Sequence, residues 1–191
     1  MRIVIRLALA GLLVVAACTG SPSKKSTAND FVDQACADLA GWGTTVQRAF
    51  TDLQNLGQVG AASDPIAQEQ LLGKLSASLA QANTATAQLA NGISARGTPN
   101  IANGEDVKNA ILDALNKLRD VLDKTRRAVD SFHPRTATKE ESDALKAQLD
   151  GLTTEVASTF AGLAPLNQNN DLRAAFTGSA ACQSVASSFS S

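Results

Sequence analysis

The chain has 191 residues, of which 44% are hydrophobic, and it carries 17 Lys and Arg against 18 Asp and Glu. This near-neutral balance, with no basic block, argues against a nucleic-acid partner, since binding phosphates needs an excess of positive side chains on one face. One His and three Cys are too few for a multi-His or four-Cys metal centre, and a Ser-His-Asp triad would rest on that single imidazole. We therefore expect no metal, no cofactor and no enzyme activity.

The start of the chain, residues 1–17, has the layout of a secretory signal peptide. Arg2 and Arg6 give it a charged beginning, and an apolar run over residues 7–17 follows. That run is too short to cross a bilayer as a helix, which takes about 20 residues. We therefore expect an export signal rather than a membrane span.

The apolar run ends in Val15-Ala16-Ala17-Cys18. This tetrapeptide resembles the lipobox of bacterial lipoproteins, with Val15 where that family usually has Leu. The resemblance implies cleavage before Cys18 and attachment of diacylglycerol to its sulfur, which would anchor the protein on the outer face of the cytoplasmic membrane. The alternative is an ordinary secretory cut near Ala17, which leaves a soluble protein with an unpaired thiol.

The cysteine count agrees with a lipid on Cys18. An odd number of Cys in an exported protein leaves one reactive thiol, whereas acylation of Cys18 leaves Cys36 and Cys182 as one pair. We predict a disulfide between these two residues. The alternative is two separate buried thiols.

Residues 18–29, the lipidated Cys and a stretch rich in Ser, Thr and Lys, are typical of a flexible tether, so we place the folded domain at 30–191. Four segments of that domain carry apolar residues at alternating spacings of three and four. This spacing predicts helices, because strands need a period of two. The apolar stripes run from Leu39 to Leu56, from Leu72 to Ile93, from Ile111 to Phe132 and from Leu145 to Leu163.

Signals for helix ends separate these four segments. Asn29 and Asp30 are candidate caps for the first helix, and Ser63-Asp64-Pro65 supplies a capping side chain for the second, with Pro65 at or near its first turn. Pro134 ends the third helix, and Thr138 with Glu141 forms a capping box for the fourth.

Short connections make consecutive helices antiparallel neighbours. The sequence therefore predicts an all-α fold, an up-down-up-down antiparallel four-helix bundle with a short C-terminal helical segment at 166–189 that closes the base. In this topology Cys36 and Cys182 lie at the base, and the connection 96–103 lies there too, facing the membrane. The turns at 57–64 and 133–138 lie at the distal end.

The single Trp is one candidate for a ligand site. Counting along ideal helices puts Trp42 level with Ala82, and puts Thr86 and Thr159 a turn or two below. A large ring among small neighbours is ordinary size compensation in a packed core. The alternative is an incompletely filled layer in which these four residues bind a small apolar ligand.

The second helix is the other candidate, because it has no charged residue between Lys74 and Arg96. An uncharged outer face is either compositional drift in an Ala-rich helix or a docking face for a protein partner. We interpret His133 and the paired acids Glu140 and Glu141 as structural, since they lie at helix ends where the helix dipole favours them.

Together these features favour a non-enzymatic, lipid-anchored envelope protein that acts as a structural or protein-interaction module. In leader and composition the chain is similar to the small, Ala-rich lipoproteins of high-GC Gram-positive bacteria. The alternative function is a carrier or sensor of a small apolar ligand near Trp42.

Overall fold

The computed structural model describes residues 27–58, 64–161 and 169–190. Six helices account for most of these residues: α1 (Ala28–Gln58), α2 (Pro65–Ala95), α3 (Gly104–Ser131), α4 (Lys139–Ala161), α5 (Asn170–Gly178) and α6 (Ala180–Ser190). No strand occurs in those three ranges, so the predicted all-α class is confirmed. The predictions for the leader, for Cys18 and for the tether up to residue 26 lie outside the described residues.

Two of the predicted helix starts are confirmed by their capping hydrogen bonds. The carboxylate of Asp64 accepts the backbone N–H of Ile66 at 3.1 Å, and Pro65 occupies the first helical position of α2. At α4 the backbone N–H of Thr138 donates to Glu141 Oε2 at 2.8 Å, and the N–H of Glu141 donates to Thr138 Oγ1 at 3.2 Å. These reciprocal bonds are the predicted capping box.

The predicted cap of the first helix was wrong by about two residues. Thr27, rather than Asn29 or Asp30, caps α1: its Oγ1 accepts the backbone N–H of Asp30 at 3.2 Å. The Thr27 hydroxyl also donates to the Asp30 carboxylate at 2.7 Å. Thr27 is favoured because Asp30, three residues later, both donates its backbone N–H to the Thr27 hydroxyl and accepts that hydroxyl with its carboxylate, whereas Asn29 has Val32 at that spacing.

The apolar stripes of the first three helices form the core. Every stripe residue of α2 is buried, and α1 and α3 each bury theirs up to the last residue, which is half-buried in both. These buried stripes comprise Leu39, Trp42, Val46, Ala49 and Leu53 of α1, Leu72, Leu75, Leu79, Ala82, Thr86, Leu89 and Ile93 of α2, and Ile111, Leu115, Leu118, Leu122, Thr125 and Val129 of α3.

Helix α4 is buried less completely. Leu152 and Val156 lie in the core, but Leu145 and Leu149 are only half-buried. No residue from 139 to 150 is fully buried. The N-terminal half of α4 therefore leaves part of its apolar stripe open.

Cross-helix bonds give the direction of the chain. Asp38 of α1 pairs with Arg96, which directly follows α2, whereas Arg48, farther along α1, donates to Gln81 of α2 at 3.5 Å. Residue numbers thus rise along α1 as they fall along α2, so the two helices are antiparallel.

Helix α3 is in turn antiparallel to α2. Lys108, near the start of α3, bonds to Ser94 near the end of α2, and Asp130, near the end of α3, bonds to Ser76 near the start of α2. Helix α4 packs on α3, where Gln148 Nε2 donates to Thr125 Oγ1 at 3.3 Å. Helices α1 and α2 are therefore antiparallel, and so are α2 and α3.

The main packing partners form a chain of neighbours. Helix α2 packs on α1, α3 on α2 and α4 on α3, while α5 and α6 pack on α1. A pairing of α1 with α4, which would close a four-helix ring, is not among these main contacts between described residues. Six packed helices are what the structure shows, and the closed four-helix bundle stays a prediction.

The predicted meeting of elements at one end is also observed. Cys36 of α1 and Cys182 of α6 form a disulfide with their Cα atoms 5.0 Å apart, and both residues are fully buried. The side chain of Asn169, which caps α5, donates to the carbonyl of Ala102 at 3.4 Å. We call this end, with the start of α1, the connection 96–103 and helices α5 and α6, the base.

Candidate functional site

Trp42 and its predicted neighbours form a sealed layer between α1 and α2. The indole Nε1 of Trp42 donates to Thr86 Oγ1 at 2.9 Å, and that hydroxyl donates to the carbonyl of Ala82 at 2.7 Å. Trp42 is 3% exposed, and Thr86 and Ala82 are 0% exposed. Each side chain hydroxyl or N–H in the layer has a protein partner, as buried polar groups require.

The fourth residue predicted for a ligand site, Thr159, lies on α4. It is half-buried, and its hydroxyl donates to the carbonyl of Glu155 in its own helix at 2.9 Å. The structure thus joins Trp42, Ala82 and Thr86 by hydrogen bonds but gives Thr159 no such link to them. The packed-core interpretation suits this geometry, because a ligand bonded to the indole would have to displace Thr86.

An ion pair at the base explains a glycine in α2. The side chain of Arg96 is 15% exposed and pairs with the Asp38 carboxylate across the α1–α2 contact. A Cβ on Gly92 would lie 2.7 Å from Asp38 Oδ2, so the pair occupies the space that a side chain at position 92 would take. The Asp38–Arg96 ion pair therefore connects α1 with the end of α2.

Lys108, a second cation at the base, also has a structural role. Lys108 is 6% exposed, and its Nζ donates to the carbonyl of Ser94 at 3.2 Å. Ser94 lies in the last turn of α2, where carbonyls lack helical partners and the helix dipole favours a positive charge. Lys108 therefore caps the end of α2.

The outer face of α2 is exposed and uncharged beyond Lys74. Small and amide side chains cover it from residue 75 to residue 95; the exposed uncharged residues are Ala77, Gln81, Thr84, Gln88, Asn91, Ser94 and Ala95. Helix α3 is different, since its exposed side is a network in which Arg126 pairs with Asp123 and Asp130. We call the uncharged surface of α2 over residues 75–95 the neutral face.

A groove of about 530 Å³ lies at the distal end, between the last turn of α3 and the first turns of α4. Its lining includes the half-buried apolar residues Phe132 and Leu145 and the polar residues His133, Glu141 and Gln148. Sequence reasoning assigned only structural roles to His133 and Glu141 and missed this groove. Phe132 was the available signal, because an aromatic ring just past a helix end has no further helical turn to cover it.

The charged side chains around this groove are tied to partners outside its lining. Arg135 of the α3–α4 connection donates to Glu69 at the start of α2 at 2.8 Å. That side-chain hydrogen bond, together with the carboxylate charge, raises the pKa of Arg135 above its ordinary value. Lys139 pairs with Asp143 one turn farther along α4.

Neither a metal site among the described residues nor a similar protein of known function indicates a chemical role for these residues. Within residues 27–58, 64–161 and 169–190, no group of three or more His, Cys, Asp or Glu is placed to hold a metal ion. None of the helices in those ranges has the length and apolar character to cross a bilayer. No family model, curated protein or solved structure matches the chain.

Proposed function

We propose that this protein is a lipid-anchored component of the cell envelope that acts without catalysis, through contact with another protein. The lipobox-like Val15-Ala16-Ala17-Cys18 supports the anchor. The Cys36–Cys182 disulfide supports an exported location, because structural disulfides persist in oxidising compartments and are rare in the cytosol.

In this arrangement the four long helices complete an up-down-up-down bundle with its base toward the membrane. Helix α1 begins at the base, at Ala28, only ten positions after Cys18. A tether of that length keeps the base close to the bilayer. The distal turn between α3 and α4 then points away from the membrane.

The observation that carries a role in protein contact is the neutral face of α2. It extends over residues 75–95, about 30 Å at 1.5 Å per residue, and exposes no charged side chain of α2. The centres of protein interfaces are depleted in charge, because a buried charge loses its hydration. On α2 itself, a partner that covers this face desolvates amides, hydroxyls and methyl groups; the nearby charge is Arg48 of α1, which donates to Gln81 at 3.5 Å.

The anchor is tested by metabolic labelling with an alkyne fatty acid in the exporting bacterium. We expect the wild-type chain to carry the label and to fractionate with membranes, and the Cys18→Ser chain to carry none and to leave the membrane fraction. Label on Cys18→Ser, or an unlabelled wild-type chain, contradicts the proposal.

The protein contact is tested by photo-crosslinking in intact cells. A photoreactive amino acid at Gln88, in the neutral face, should give a discrete crosslinked product. The same amino acid at Lys117, which is exposed on α3, is the matched control and should give none. A second chain with the photoreactive group at Gln88 and Thr84→Glu should lose the product, because the new carboxylate must be desolvated. Equal products from positions 88 and 117 contradict a role for the neutral face.

A further inference from the structure

We propose that the groove at the α3–α4 turn binds an organic ammonium ion that carries an apolar body. Its volume of about 530 Å³ lies within the range of small-molecule sites. The groove is separate from the Trp42 layer and from the neutral face of α2, so the inference does not depend on the proposed protein contact.

Apolar side chains line the part of the groove that would contact the apolar body of such a ligand. Phe132 and Leu145 are half-buried, and Ala128, Ala137 and Ala144 continue the apolar lining between them. Ala144 and Leu145 belong to the N-terminal half of α4, residues 139–150, in which no residue is fully buried. An apolar body placed here removes exposed aromatic and aliphatic surface from water, which is favourable in proportion to the area covered.

The charge of the lining favours a cation. Among the described residues the Glu141 carboxylate accepts one hydrogen bond, from the backbone N–H of Thr138, and has no Lys or Arg partner. The neighbouring cations Arg135 and Lys139 are already paired with Glu69 and Asp143. Glu141 is therefore the acid on the lining that has no cation of its own.

The two helix ends at the groove act in the same direction. Ala128 and Ser131 belong to the last turn of α3, which contains no basic residue, so the negative end of the α3 dipole is not neutralised from within the helix. The positive end of α4 is partly satisfied by its capping box, in which the Glu141 N–H donates to Thr138 Oγ1. The groove thus presents the Glu141 carboxylate, the His133 side chain and the C-terminus of α3 to a ligand.

The test is photoaffinity labelling of the protein purified from its native envelope and held in lipid nanodiscs. Three phenylalkyl diazirine probes differ only in their terminal group: ammonium, hydroxyl or carboxylate. We expect the ammonium probe to label peptides covering residues 128–148 about threefold more than the other two, the ratio typical of an ion pair with an exposed carboxylate such as Glu141. Equal labelling by the ammonium and carboxylate probes overturns the proposal.

Three variants separate binding from folding. Glu141→Gln keeps the capping box, which accepts Gln as well as Glu, and should reduce ammonium labelling to the level of the hydroxyl probe. Glu140→Gln removes a carboxylate from the same turn of α4 but not from the lining, and should leave labelling unchanged. Ala144→Trp fills the groove from an exposed position and should abolish labelling by all three probes. Unchanged labelling in Glu141→Gln or Ala144→Trp, with helical circular dichroism retained, refutes the site.

Discussion

The indole N–H of Trp42 on α1 donates to the hydroxyl of Thr86 on α2, at 2.9 Å and out of contact with water. This bond joins the largest side chain of the core to a hydroxyl on the neighbouring helix. Because a buried donor must find an acceptor, it sets the height at which α1 packs against α2.

Thr86→Val should destabilise the fold although it keeps the volume of the side chain. The variant removes the acceptor of a buried indole N–H, which costs about 1–3 kcal/mol. Thr86→Ser keeps the hydroxyl and is the matched control, with a smaller loss from one methyl group. Urea unfolding followed by Trp fluorescence measures both, and a Val variant as stable as the Ser variant contradicts the role of the bond.

Two glycines of α2 should respond in opposite ways to Ala. At Gly73 a new Cβ meets nothing within 4 Å, so Gly73→Ala should stabilise the protein by up to about 1 kcal/mol through helix propensity. At Gly92 the same Cβ lies 2.7 Å from Asp38 Oδ2, so Gly92→Ala should gain less or lose stability as Asp38 moves from Arg96. Adding Asp38→Ala should remove the difference between the two sites in the free energy of unfolding.

Loss of the disulfide should weaken the whole fold. A loop with a sequence separation of 146 restricts the unfolded chain by about 5 kcal/mol in the loop-entropy model. Replacing both Cys36 and Cys182 by Ser should therefore lower the free energy of unfolding by up to about 5 kcal/mol, as measured by urea titration. A change below about 1 kcal/mol contradicts the loop-entropy argument and indicates that the reduced, unfolded chain retains structure.

The capping box should control the stability of the start of α4. Thr138→Ala removes the acceptor of the Glu141 N–H and should cost about 1 kcal/mol, chiefly as faster amide hydrogen exchange over residues 139–144. Thr136→Ala, in the preceding turn, is the matched control, since only its backbone N–H is hydrogen-bonded, to His133. Equal exchange in the two variants shows that the cap does not limit fraying.

Much of the fold follows from local patterns in the sequence. The α2 stripe from Leu72 to Ile93 is buried at every predicted position, since a repeat of three and four residues leaves one face for the core. The Asp64-Pro65 start was predictable because both residues act on the same turn. The first cap was less so, because Thr27, Asn29 and Asp30 are all capping residues and only the reciprocal bond decides among them.

Tertiary neighbours account for what the sequence could not predict. The stripe of α4 indicates a face for burial but not how closely another helix approaches it, so the half-exposure of Leu145 and Leu149 was unforeseen. The groove depends on how the α3–α4 turn places Phe132 and Glu141 in one lining, and no periodicity in the sequence predicts that placement. At Trp42 the sequence predicted the neighbours Ala82 and Thr86, but the hydrogen bond from the Trp42 indole to the Thr86 hydroxyl is seen only in the folded structure.

The covalent link at the base also sets the path of a mechanical load. Tension applied between residue 27 and residue 190 passes along the chain to Cys36, across the sulfur bridge, and onward from Cys182. Helices α2, α3 and α4 lie inside the closed loop, so they carry none of that tension. If the proposed acyl anchor is pulled at one terminus while the other is held, the neutral face and the distal groove keep their shape.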